Sequence, residues 1–244
     1  MEFNEFYEYC RAVFEANKNL PAVDKEKADK LYVLTNRMLE VNAHMNLTAI
    51  KEEKAIILRH YADSLAISEH IAPNAKVIDV GCGAGFPTLP LAIFRPDVDI
   101  TALDSTAKRI NYVADTAKLL ELSNVTAIAE RAEVLANNIE YREKFDYATA
   151  RAVAALPILT ELCMPFVKIG GKFVAMKAQK ADSEISLSMT AITKCGGKLQ
   201  ERIVSPLYNP NGESEERMII ICSKVGATPK ELPRHYSKIS KKPL

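Results

Sequence analysis

The chain has 244 residues, 48% of them apolar, with 32 Lys and Arg against 31 Asp and Glu for a formal net charge of +1. That length suits one α/β domain with an appendage or two small domains, and no apolar run approaches the roughly 18–20 residues of a membrane span. The acidic start lacks a basic-then-apolar leader and the five cysteines, Cys10, Cys82, Cys163, Cys195 and Cys222, form no C-x-x-C pair, so a membrane protein, a zinc site and a disulfide framework are not expected and the chain reads as cytoplasmic.

Residues 3–18 are rich in helix formers, with Phe3, Phe6, Tyr7 and Phe14 on a helical period. Asp24 is a candidate N-cap for a second helix to about Val41, with Leu31, Leu34 and Met38 on one face. Asn42 to Thr48 is a polar connection, and a third helix is expected from about Lys51 to His70. Residues 1–71 therefore form a helical N-terminal segment. Pro73-Asn74 marks a boundary, after which strand and helix patterns alternate. Strands are expected near 76–80, 99–103, 124–129, 145–150 and 171–177, and helices near 87–95, 106–121, 131–138, 155–167 and 181–194. Such alternation implies βαβ units and a parallel, doubly wound sheet. Residues 198–204 and 217–224 are strands with only a Pro/Asn/Gly loop between them, so they pair antiparallel or sit apart. The second unit spans 72–224. The last stretch, 225–244, is lysine- and proline-rich and expected to be irregular; its charges suit either phosphate contacts or a solvated end.

The run Val77-Ile-Asp-Val followed by Gly81-Cys-Gly-Ala-Gly85 reads as a strand, a glycine turn and the start of a helix. There a ligand can approach backbone N–H groups closely. The G-x-G-x-G spacing differs from the G-x-G-x-x-G that a dinucleotide pyrophosphate needs. It fits S-adenosylmethionine, with Asp79 facing the ammonium group. Asp104, closing the next strand, can accept both ribose hydroxyls. Glu133 after the third strand lies where an adenine edge would sit, or is simply a first-turn helix acid. Together with the antiparallel finish, these point to a class I methyltransferase: a Rossmann-like, mostly parallel seven-stranded sheet ending in an antiparallel hairpin.

Further blocks are more specific: Asn46-Leu-Thr, Arg59-His60 with Asp63-Ser-Leu, Asp79 through Phe86-Pro87, Leu103-Asp-Ser with Lys108-Arg109, Ala132-Glu133, Ala150-Arg-Ala-Val-Ala, Gly170-Gly171 and Lys177. In this combination the chain, from about Asn42 onward, resembles the bacterial 16S ribosomal RNA guanine-N7 methyltransferases, the glucose-inhibited division protein B family. The resemblance implies an S-adenosylmethionine pocket formed by Gly81, Gly83, Phe86, Ala132, Glu133 and Arg151, with Asp104 at the ribose. It also implies a helical N-terminal cover, and a substrate guanine in the decoding-region stem-loop of the small ribosomal subunit. Thr88 stands where the family commonly has a second glycine, an exchange expected to matter little inside a helix. Ser237 and Ile239 replace a glycine and a proline of the family's tail pattern.

Guanine N7 carries a lone pair and no proton, so transfer to it needs positioning rather than a general base. This accords with the absence of a nucleophilic dyad in the sequence. Arg151, at the carboxyl end of an expected strand and inside an Ala/Val run, is the candidate orienting residue, for the ligand or for the guanine O6/N7 edge; the plainer reading is a structural salt bridge. His60 is the histidine expected near the site, either functional or packed. Candidate RNA contacts are Asn46, Arg59, His60, Lys108, Arg109, Lys177, Arg234 and Lys241. A monomer without a metal is expected. The competing readings are a methyltransferase for a small molecule or protein, and an RNA-binding module with a vestigial site.

Overall fold

The computed structural model describes residues 1–178 and 181–244. Helix α1 (Phe3–Ala16) buries Phe6, Cys10, Val13 and Phe14, spaced so that they share one face. Helix α2 (Lys25–Met45) starts at Asp24, whose side chain accepts from the Lys27 amide, and buries Leu31, Leu34 and Met38. It runs one turn past the expected end at Val41 and stops at Asn46, which is left-handed at φ 49°. Asn42, read as the start of a connection, is instead buried inside the helix and ties down the following loop by exchanging hydrogen bonds with the Thr48 backbone.

The third helical stretch is not uniform. It is α3 (Glu53–Ile56) and α4 (Asp63–Leu65) joined by a π turn over Ile57–Ala62 that carries Arg59 and His60. Such turns often occur at functional sites.

Seven strands form the sheet: β1 (Lys76–Val80), β2 (Asp99–Asp104), β3 (Val125–Ala129), β4 (Phe145–Arg151), β5 (Val167–Ala178), β6 (Gly197–Val204) and β9 (Arg217–Lys224). Their order is β3-β2-β1-β4-β5-β9-β6, parallel from β3 to β5 and antiparallel on both sides of β9. The loop between β6 and β9 contributes a short hairpin of its own, β7 (Leu207–Tyr208) with β8 (Ser214–Glu215). The connecting helices are α5 (Thr88–Phe94), α6 (Ala107–Leu119), α7 (Ala132–Leu135), α8 (Leu156–Cys163) and α9 (Ala181–Lys194). The end of the chain is not wholly irregular, since α10 (Tyr236–Lys241) closes it with Ile239 fully buried.

Strand residues alternate between two cores, as the period of two demands. Val77 joins the cluster of α1, α2, α5 and α6, whereas Ile78 and Val80 join that of α7, α8 and α9. The N-terminal helices thus pack on one sheet face in a continuous apolar cluster. Among the described residues no helix is long and apolar enough to cross a membrane.

Candidate active site

The parallel strands end at one edge of the sheet, and the loops after β1, β2, β3 and β4 together line a cavity of about 490 Å³. Ligands in open α/β sheets bind at this carboxyl edge, where the strand order reverses, here between β1 and β4. The turn after β1 is pinned by the Gly81 and Cys82 amides, which both donate to the Leu103 carbonyl at 2.7 and 3.0 Å. Gly81 has φ +77°, and a Cβ there would lie 2.7 Å from the Val153 side chain. Only glycine keeps both the turn and the cavity beside it. Asp104 links two loops: one carboxylate oxygen accepts from the Gly83 amide (3.1 Å) and the other from the Thr106 amide (2.8 Å). Arg109 stands 3.7 Å away. A carboxylate held in this way presents its remaining lone pairs to the cavity.

Asp79 lies elsewhere than expected. Sharing the Val77 face, it sits beneath the turn, 1% exposed, and does not line the cavity. One oxygen accepts from the Thr88 amide (3.3 Å) and hydroxyl (2.7 Å), and the other faces the Thr149 hydroxyl at 3.4 Å. Thr88 therefore matters more than its place in a helix suggested, because its hydroxyl ties the start of α5 to the end of β1. Burial raises the Asp79 pKa from 3.8 to about 6, against the lowering effect of the Thr88 bonds and of the Arg151 charge. The folded state thus favours the protonated form, and that stabilisation is lost as pH rises through about 6. Asp79→Asn keeps an acceptor for Thr88 and gives Thr149 a donor. It is expected to stabilise the fold by about 2 kcal/mol at pH 8, with the gain vanishing towards pH 4. Urea denaturation across that range checks this, and calorimetry checks that ligand affinity is unchanged, as it would not be if Asp79 met the ligand's ammonium.

At the far end of the cavity, Glu133 is 5% exposed and accepts from the Arg131 guanidinium (2.7 Å) and the Tyr236 amide (3.3 Å). Arg131 lies over the Tyr236 ring, 5.3 Å from its centroid, and Ala132 and Tyr236 complete the lining. Tyr236 was missed from sequence; the only signal was an aromatic in a basic tail. Arg234, read as an RNA contact, is instead the anchor of that tail. Its amide and guanidinium make three hydrogen bonds of 2.6–2.9 Å to Glu161, which is fully buried in α8. A carboxylate placed there requires a partner, so Arg234 is committed to the protein.

Arg151 ends β4 and forms the wall near the turn. One terminal nitrogen donates to the Arg59 carbonyl and to Asp63, both at 2.8 Å, and the other lies 3.3 Å from His60 Nδ1. The guanidinium carbon is 5.4 Å from the Phe86 ring centroid. His60 stacks on Phe86 with centroids 4.4 Å apart and planes 11° from parallel. Burial first, then the Arg151 charge, pushes the His60 pKa down to about 3. The ring is thus neutral at physiological pH. Its Nδ1 accepts from Arg151 and its Nε2–H donates to Thr48 Oγ1 at 2.9 Å, an assignment made from the bond pattern. His60 is both packed and at the site, but not as a proton carrier. The salt bridge and the cavity-wall readings of Arg151 also coexist.

The other expected RNA contacts are scattered. Arg59 pairs with Glu215 at 2.6 Å but remains half exposed. Lys177 pairs with Glu184 (2.8 Å) and donates to the Ala154 carbonyl. Lys108 and Lys241 are exposed and Arg109 lines the cavity. Asn46 is exposed beside Leu47 and Thr48, which line the cavity while it does not.

The sequence profile of the GidB family, described as rRNA small subunit methyltransferase G, matches residues 26–206. A ribosomal RNA small subunit methyltransferase G of Leuconostoc mesenteroides is 39% identical over 97% of this chain and 98% of its own length. The protein of the same name from Clostridium novyi is 40% identical over 98% and 97%. Among solved structures, a SAM-dependent methyltransferase from Aquifex aeolicus superposes with a TM-score of 0.51 at 15% identity, covering 68% of this chain and 92% of that one. M. jannaschii TYW2 in complex with AdoMet gives 0.50 at 20% identity, over 63% and 70%. These structural likenesses concern the fold, which is that of class I methyltransferases.

Proposed function

The chain belongs to the GidB family, the rRNA small subunit methyltransferases G, and from that premise we propose that it methylates N7 of one guanine in the decoding-region stem-loop of 16S ribosomal RNA. It is an S-adenosylmethionine-dependent ribosomal RNA methyltransferase. When bound, S-adenosylmethionine supplies a methyl group activated by its sulfonium. The donor set fits that group: Asp104 would hold the ribose hydroxyls, the Gly81–Gly83 backbone the methionine end, and Ala132, Glu133 and Tyr236 the adenine edge. Phe86 and Arg151 would bound the methyl-bearing end. The observation that carries the reading is that residues from the loops after four consecutive sheet positions, joined by Tyr236 of α10, line one cavity.

The protein's task is then to hold N7 in line with the departing sulfur, without removing a proton. The neutral His60, and an Arg151 held in place by the Arg59 carbonyl, Asp63 and His60, suit a site that orients rather than titrates. Residues 1–71 cover the sheet, 72–224 carry the cofactor and the chemistry, and 225–244 lock the adenine end. The protein acts as a cytoplasmic monomer without a metal. Arg59, Lys108, Arg109 and Lys241 supply phosphate contacts, so log affinity for the RNA should fall against log salt with a slope of about −2 or steeper; a flat dependence would exclude them.

The direct test incubates the protein with labelled S-adenosylmethionine and small subunits or 16S RNA from a strain lacking the modification. Label at N7 of a single guanine is the expected result. Label elsewhere, or turnover on small molecules without RNA, would overturn it.

A further inference from the structure

A second cavity, of about 410 Å³, adjoins the first. The two share His60, Arg151 and Ala152. Its place follows from the topology. The first cavity takes residues following β1, β2 and β3, namely Gly81, Asp104 and Glu133, whereas the second lies over the ends of β4 and β5 and beside β9. A ligand filling the first therefore leaves the second as the free half of the same carboxyl edge. Apolar side chains of Ile50, Met176 and Ile219 line it together with the charged Arg59, Asp63 and Arg217. Faces that are apolar and edges that both donate and accept describe a purine.

We propose that this second cavity receives the target guanine base, and that the Arg151–Asp63 pair reads its O6 and N1–H; this rests on the guanine reading above. Arg151 has five N–H groups, and three are directed at the Arg59 carbonyl, Asp63 and His60. Two remain for a ligand oxygen. They serve O6 and not N7, because a hydrogen bond to N7 would occupy the lone pair that must attack the methyl carbon. On transfer that pair forms the N7–C bond, the C–S bond breaks and its electrons stay on sulfur. No proton moves.

Asp63 lies 2.8 Å from Arg151 on one side and 3.3 Å from Arg217 Nε on the other. Each carboxylate oxygen keeps a second lone pair. The pair thus presents a donor next to an acceptor. Guanine offers the complementary order, the acceptor O6 next to the donor N1–H. Adenine offers the reverse, an amino donor next to the acceptor N1, and would set like against like at both positions.

The test uses the wild-type protein and one stem-loop RNA carrying guanosine, inosine, N1-methylguanosine or adenosine at the modified position. Inosine keeps both O6 and N1–H and should be methylated within a few-fold of guanosine. N1-methylguanosine should lose at least about 100-fold in kcat/KM, since its methyl group replaces the N1–H and stands against the Asp63 carboxylate instead of donating to it. Its cofactor-free binding, read by fluorescence anisotropy, should weaken by about fivefold, the loss of one hydrogen bond. In Asp63→Ala the preference for guanosine over N1-methylguanosine should shrink at least tenfold, whereas a merely structural Asp63 would lower both substrates alike. Equal transfer to guanosine and N1-methylguanosine by wild type would overturn the inference and leave the proposed function standing. A loss with inosine as large as with N1-methylguanosine would also overturn it, by pointing to the exocyclic amine. No transfer to guanosine would overturn the proposed function and this inference with it.

Discussion

Replacing Arg151 with alanine is expected to lower kcat/KM for RNA methylation by about 100-fold or more, equivalent to roughly 3 kcal/mol of transition-state stabilisation. The guanidinium joins three things that no smaller side chain joins: the π-turn carbonyl of Arg59, the Asp63 carboxylate and the His60 ring that stacks on Phe86. Its loss releases His60 on the wall between the two cavities and leaves Asp63 with Arg217 alone. Stability should drop by about 1–3 kcal/mol, as for a buried acceptor deprived of a partner. Arg151→Lys separates charge from geometry, because an ammonium group cannot reproduce the planar fork; at least about a tenfold loss in turnover should persist although the positive charge is kept. Single-turnover rates with saturating cofactor, calorimetry and urea denaturation on the same samples resolve the contributions. Wild-type turnover and cofactor affinity in Arg151→Ala would sink the assignment.

Arg234→Ala is expected to destabilise the fold by about 3–5 kcal/mol, the usual result of removing one partner of a buried ion pair. Glu161 is fully buried, and the change removes the side chain that donates two of its hydrogen bonds. The same change frees Tyr236 from the cavity, so cofactor affinity should fall as well. Replacing both partners with methionine should recover most of the stability, since an apolar pair of similar volume removes the buried charge along with its partner. Lys241→Ala, on the exposed side of α10, should alter stability by no more than about 0.5 kcal/mol. Urea midpoints for the three variants test this reading. If Arg234→Ala were as stable as wild type but bound RNA less tightly, the tail would be an RNA contact after all.

What the sequence disclosed followed short-range rules. Alternation of β-branched runs with helical periods marked all five parallel strands, and the missing crossover helix marked the antiparallel pairing at β9. The glycine turn and Asp104 were readable because turn chemistry and strand ends are local. The unreadable features depend on partners far along the chain. Asp79 and Thr149 are 70 positions apart, Arg234 and Glu161 73, and Tyr236 and Glu133 103. No local pattern foretold that a tail aromatic would close the cavity, or that a threonine in a glycine position would hold a strand-end carboxylate. The period of two along β1 could have placed Asp79 on the buried Val77 face. The π turn through Ile57–Ala62 was likewise hidden, because its residues have ordinary helical propensity.

The strand order carries a consequence for how the molecule assembles itself. β9 lies between β5 and β6 and bonds to both. Until it arrives, β6 has no neighbour in the sheet and β5 ends it. The parallel half, from β3 to β5, is built from units close in sequence, whereas the other half waits for a strand separated from β5 by α9, β6 and the small hairpin. Loop closure of that span must come before its contacts are gained. Folding should therefore proceed outward from the cofactor half, and the second cavity, bordered by β5 and β9, should take shape last.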